Sequence, residues 1–146
     1  MVNDIVIGIV SAIRTKYNKD DYKVATEQIQ QNFVKPSFFI KNINQSQTQV
    51  LMERYARDND FVIHYFPDQK NKYANCNDVT ESLYDALELI EVEGKLWRGV
   101  GMSAQIEDGV LLFFVSYNTF VLKQKIADKM KEVDINAKTR EKRKSY

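Results

Sequence analysis

The residue types that carry enzymatic chemistry are scarce in this chain, and those present are badly placed for it. His64 is the single histidine and Cys76 the single cysteine. A Ser–His or Cys–His couple would have to form around His64, which lies inside the apolar run Phe61–Phe66, the setting of a strand residue. One histidine and one cysteine are too few for the N/S ligand sets that zinc takes. Cys76, between Asn75 and Asn77, has no neighbouring base to draw off its proton. Asp58 with Asp60, and Glu91 with Glu93, leave a carboxylate site conceivable, but such positions usually hold solvated turn acids. Gly99-x-Gly101 lacks the third glycine and following helix of a phosphate-cradling loop. The chain therefore reads as a binding protein and not an enzyme, with no catalytic residues, no cofactor and no metal.

Eight Tyr, eight Phe and one Trp raise a different chemistry, the stacking of aromatic rings on nucleic-acid bases. That use requires basic residues interleaved with exposed rings. Here Phe61, Phe66, Phe113 and Phe114 sit in apolar runs, so core packing is the better account.

The elements that would position these residues follow from periodicity. Ile5, Ile9, Ala12, Ile13 and Tyr17 share one face of a helix, widened by Val6 and Val10, with Asn3 or Asp4 as cap and the run 18–21 as terminator. Residues 22–27 alternate weakly, as a short strand would. Ser37–Ile43 follows Pro36 as a clearer strand, residues 44–48 read as a polar turn, and Val50–Arg57 reads as one strand of a hairpin. Asn59 marks a further turn before the strand Phe61–Phe66. Residues 67–77 read as an exposed connection. Asp78 and Glu81 then form a capping-box pattern that opens a helix carrying Val79, Leu83, Ala86, Leu87 and Ile90 on one face. Asp108-Gly109 joins the strands Lys95–Ile106 and Val110–Leu122 in a hairpin, with Gly99 and Gly101 marking a bulge or a close backbone approach. Because the second of these strands is apolar on both faces in its first half, it belongs inside a sheet covered on both sides, by helices or by helices and a partner.

The expected fold is α+β: a mixed, mainly antiparallel sheet packed by an N-terminal helix and a central helix, followed by a short C-terminal helix and basic tail. A chain of 146 residues suits one domain over 1–122, with 123–146 as an appendage. The net charge of +1 conceals an asymmetry: residues 1–122 hold 12 Lys/Arg against 16 Asp/Glu, whereas 123–146 hold 9 against 4. Ile126, Met130 and Val133 have helical spacing over Lys123–Asp134. Beyond them Lys138, Arg140, Lys142, Arg143 and Lys144 form a candidate arm, either a solvated terminus or a segment that orders against an acidic neighbour. Nucleic-acid contact is a weaker option for so short a patch. A lone cysteine suits a reducing compartment, and the run Ile5–Val10 is too short to cross a bilayer and lacks a basic flank. The expectation is a soluble protein made in the cytoplasm, without membrane contact.

The order of these features resembles a known family. The helix opening Asn3-Asp4-Ile5, the strand Pro36-Ser-Phe-Phe-Ile40, the strand Phe61-Val-Ile-His-Tyr-Phe-Pro67, the helix Leu83-Tyr-Asp-Ala-Leu87 and the long last hairpin are similar to the tail terminators of phages and phage-like particles. The version in prophages and defective contractile, bacteriocin-like tails of low-GC Gram-positive bacteria is the nearest. The resemblance covers about residues 3–122 and rests on core-forming stretches. It implies a structural virion protein that forms a hexameric ring on the finished tail tube, ends polymerisation and joins tube and sheath to the neck or head connector. Its implied partners are further copies of itself, the tube protein, the sheath protein and a connector, with location in the particle's tail and neck.

Rings close through heterologous contacts, and sheet edges with unpaired N–H and C=O groups suit them. The candidate interface residues are Arg54 and Arg57 in Val50–Arg57, with Trp97 and Arg98 in the last hairpin, since Trp and Arg are frequent anchors. For Trp97 the alternative is packing on the second helix within one subunit. A different neck ring, such as a head–tail connector or head-closure protein, and a small protein-binding module with a basic tail are the competing functions.

Overall fold

The computed structural model describes residues 1–27, 36–68 and 72–123, and its architecture is the expected α+β. Helix α1 spans Val2–Arg14, and strands β1 (Lys23–Ala25), β2 (Ser37–Leu51) and β3 (Arg54–Phe66) follow. Then come helix α2 (Lys72–Ala86), β4 (Leu89–Val92), β5 (Lys95–Glu107) and β6 (Val110–Leu122). The sheet has the order β1-β2-β3-β6-β5-β4. β1 runs parallel to β2, with Val24 opposite Phe38, whereas β5 is antiparallel to both β4 and β6.

By contact density the chain falls into two compact units. Among the described residues, one takes Met1–Ser46 and Asp58–Asn118, and the other takes Gln47–Arg57 and Thr119–Lys123. The first unit holds the core. Ile5, Ile9 and Ile13 of α1 are fully buried, as the i, i+4, i+8 spacing requires, and Val79 and Leu83 of α2 meet them. The inward residues of the strands alternate: Phe61, Ile63 and Tyr65 on β3, and Leu111, Phe113, Val115 and Tyr117 on β6. β6 takes the interior position that its two-sided apolarity foretold. Its other face, with Leu112 and Phe114, is half-buried.

Several local expectations fail, each for a physical reason. α1 starts at Val2 with Met1 in the cap position, so neither Asn3 nor Asp4 caps it; Asp4 instead lies 3.4 Å from the Met1 amino group. Residues 44–48 are not a turn but continue β2 to Leu51, with both faces exposed there. Asn and Gln have low strand propensity, yet pairing along β3 overrides it. The turn falls at Met52-Glu53 and cuts the expected strand Val50–Arg57 in two. Asn59 is no turn either. It is buried within β3, and its side-chain amide donates a hydrogen bond of 3.2 Å to the Tyr117 carbonyl. α2 opens at Lys72, inside the expected connection, so Asp78 and Glu81 sit mid-helix and exposed. That helix stops at Ala86, and Ile90 reaches the core from β4. A strand and a helix can both direct Ile90 inward, and periodicity over one turn does not separate them.

The last hairpin matches its expectation closely. Asp108 and Gly109 have φ of 51° and 75°, the left-handed pair of a two-residue hairpin turn. The register slips between Val100 and Ser103, so Gly101, at φ 62°, marks a bulge. Gly99 is a close approach, since a Cβ there would lie 2.5 Å from the Leu87 carbonyl oxygen.

Candidate functional site

His64 stands on the outer face of β3 between two rings, with centroids 5.6 Å from Phe39 and 6.2 Å from Phe66. Burial first, and then the nearby Lys41 ammonium, hold its imidazole below its ordinary pKa. It is thus kept neutral among aromatic neighbours. Cys76 is buried in α2, and desolvation raises its thiol pKa, the opposite of what a nucleophile needs. Asp60 accepts a 2.5 Å hydrogen bond from the Ser116 hydroxyl, and Glu91 is exposed on β4. Among the described residues no three His, Cys, Asp or Glu side chains group as a metal site, and no helix is long and apolar enough to cross a membrane.

What the described surface does offer is apolar area. In the smaller unit, Val50, Leu51, Met52, Phe120 and Leu122 are all more than half exposed, with Met52 at 77% and Leu122 at 75%. Such a concentration of exposed large side chains is unusual on a surface that faces water alone. Its framework is tight. The Lys123 N–H donates to the Glu53 carbonyl at 2.8 Å, and the Gln49 amide donates to the Met52 carbonyl at 2.6 Å. The Arg54 guanidinium lies 5.7 Å from the Phe120 ring centre, and the Lys123 ammonium 4.9 Å from that of Tyr55. Both are cation–π contacts that hold a positive charge beside each ring. Arg57 donates to the Gln47 side chain at 2.7 Å. Arg54 is exposed and Arg57 half-buried, and both lie at the start of β3 and not in a continuous 50–57 strand.

Trp97 and Arg98 are in the larger unit, where strand alternation sends them to opposite faces. Trp97 sits opposite Ile90, half-buried against the core. Arg98 sits opposite Leu89 on the outer face and pairs with Glu88 at 3.0 Å, both side chains being well exposed. Such a surface pair contributes little to stability. Leu89, Leu96 and Val100 accompany Arg98 on the exposed surface. Lys138, Arg140, Lys142, Arg143 and Lys144, together with the expected helix beyond Lys123, lie outside the described residues.

Sequence reasoning missed the exposed Val50-Leu51-Met52 tip and its companions Phe120 and Leu122. The available signal was the polar stretch 44–49, which has no inward-facing apolar alternation and so could not have been burying the apolar residues that follow it.

A family model described as phage tail terminator protein matches residues 4–129. The chain belongs to the phage tail terminator family. As a tail terminator it is a structural component of phage tail assembly, with its place in the virion tail, and other tail or neck proteins are its partners. The family is one of structural proteins and is not known for catalysis. Curated proteins gave no match. One solved chain is similar over 86% of this tail terminator and 97% of its own length, at 11% identity and a TM-score of 0.44.

Proposed function

We propose that this tail terminator forms a hexameric ring on the end of the tail tube, stops tube polymerisation and presents a surface to the neck or head connector and, in a contractile particle, to the last sheath layer. The observation that carries this reading is the family match over residues 4–129. Two features of the fold support it. Among the described residues, β1 pairs with β2 only at Ser37–Phe39, so the β2 edge from Ile40 to Leu51 has no strand on that side. From Asn42 to Leu51 that edge carries no charge and no proline, the devices that normally block edge pairing. The exposed apolar tip beside it adds the hydrophobic contribution that a stable interface needs.

The four candidate contact residues are assigned to subunit contacts, Arg54, Arg57 and Arg98 through their guanidinium groups and Trp97 through its exposed edge. The basic arm Lys138, Arg140, Lys142, Arg143 and Lys144 is assigned to the acidic surface of a neighbour. Size-exclusion chromatography with light scattering, with and without tubes, tests the ring. A closed hexamer, or a monomer that becomes hexameric on tube ends, supports it. A protein that stays monomeric and ignores tubes contradicts it.

A further inference from the structure

The apolar tip of the smaller unit carries a specific charge. Within Gln47–Arg57 and Thr119–Lys123 the charged residues are Arg54, Arg57 and Lys123 against Glu53 alone. Arg54 and Lys123 are exposed, and each lies over an aromatic ring, which orients the cation without neutralising it. Met52, the most exposed of the tip residues, occupies a left-handed position with φ 51°, where Gly or Asn would be at ease. An apolar side chain is thus held at the apex against backbone preference.

The larger unit bears a surface of matching character. On the outer face of the β4–β5 pair, Glu91 stands opposite Leu96 and Leu89 opposite Arg98, and all four are exposed. Leu96 is 70% exposed and Leu89 44%. α1 packs through Gly8 against the other side, where Ile90 and Val92 are buried. The acids of β4 and its flanking turns are Glu88, Glu91 and Glu93, all exposed, and the cations of the facing strand are Lys95 and Arg98. Among the described residues Arg98 pairs with Glu88 at 3.0 Å, and Glu91 and Glu93 carry the acidic charge beside Leu96.

We infer that the Val50–Arg54 tip of one subunit, with Phe120, Leu122 and Lys123, docks on the outer β4–β5 face of a second copy of this chain, placing Leu51 and Met52 against Leu89 and Leu96 and bringing Arg54 and Lys123 to Glu91 and Glu93. The inference rests on the ring reading and names its two halves. The occupant is a second copy because the two surfaces complement each other in both respects, apolar centre and opposite charged rim. A contact between two different patches is heterologous, the kind that propagates from subunit to subunit until a ring closes. Apolar contact supplies most of the affinity, and the charges set register and approach rate.

A charge-reversal cycle on the full chain tests the contact. Self-association is measured by sedimentation in solution and on isolated tails for Arg54→Glu with Lys123→Glu, for Glu91→Lys with Glu93→Lys, and for all four together. Each pair alone is expected to weaken association at least tenfold, and the fourfold variant to recover most of that loss, since opposite charges again face each other. Circular dichroism confirms folding, and Leu51→Ser, at a position 68% exposed, provides an independent weakening variant. Assembly that is equally strong in every variant overturns this contact and leaves the ring reading standing. Weakening by each pair without recovery in the fourfold variant also overturns the pairing. A native chain that never assembles, alone or on tails, overturns the ring reading and this contact with it.

Discussion

The phenol of Tyr117, on β6, donates a 2.6 Å hydrogen bond to the main-chain carbonyl of Leu87, just past the end of α2. The same carbonyl oxygen would lie only 2.5 Å from a Cβ at Gly99 on β5. Leu87 is therefore the point where the end of α2 meets the two strands of the last hairpin. Burial pushes the Tyr117 hydroxyl well above its ordinary pKa, so it remains a donor throughout the working pH range.

Replacing Tyr117 by Phe leaves the Leu87 carbonyl without this donor in a buried setting. The expected loss is about 1–3 kcal/mol, the cost of an unmet buried acceptor. Calorimetry or a thermal melt should show a lower midpoint with native secondary structure retained. An unchanged midpoint would mean that the hydrogen bond contributes nothing net.

Gly8 poses a contest between two effects of known size. Ala is favoured over Gly inside a helix by about 1 kcal/mol. Yet an added Cβ would lie 2.7 Å from the Glu91 carbonyl oxygen and 3.3 Å from Ile90 and Val92 side-chain carbons. Because the closest atom is backbone, it cannot swing aside, and overpacking of this kind costs about 1–3 kcal/mol. Gly8→Ala should therefore destabilise despite its better helix propensity. The control is Ser11→Ala on the exposed side of α1, which should be neutral or slightly stabilising in the same urea titration.

His64 predicts a pH dependence of defined sign. Its folded-state pKa lies below the ordinary 6.5, so the unfolded chain binds a proton at higher pH than the folded one. Its contribution to stability is present above about pH 6.5 and is lost as pH falls through the unfolded value toward the folded one. Stability measured between pH 7.5 and 5.5 should decline, and His64→Gln should flatten that decline. A decline of the same slope in the variant would assign it to other groups.

How far the sequence reveals the fold depends on whether burial is involved. Ile5, Ile9 and Ile13, the two-sided apolar first half of Val110–Leu122, and the Asp108-Gly109 turn were all readable, because core faces and left-handed turns restrict residue type directly. The β2–β3 extension was not. From Ile43 to Leu51 every residue is exposed, so no periodic signal marks the strand, and its Asn and Gln residues favour a turn when read locally. The start of α2 was misplaced for a related reason: Lys72, Tyr73 and Ala74 are exposed, and Cys76 is the first residue there to reach the core. On the candidate surfaces, arginine and tryptophan could be singled out by type, but the division of Trp97 and Arg98 between opposite faces required the β4–β5 register.

Electron microscopy of tails assembled with and without this protein tests the central claim most directly. The account predicts tubes of uniform length when it is present and tubes of uncontrolled length when it is absent, with uniformity restored on adding it back. Tubes of the same uniform length in both preparations would contradict the claim that this chain ends tail polymerisation.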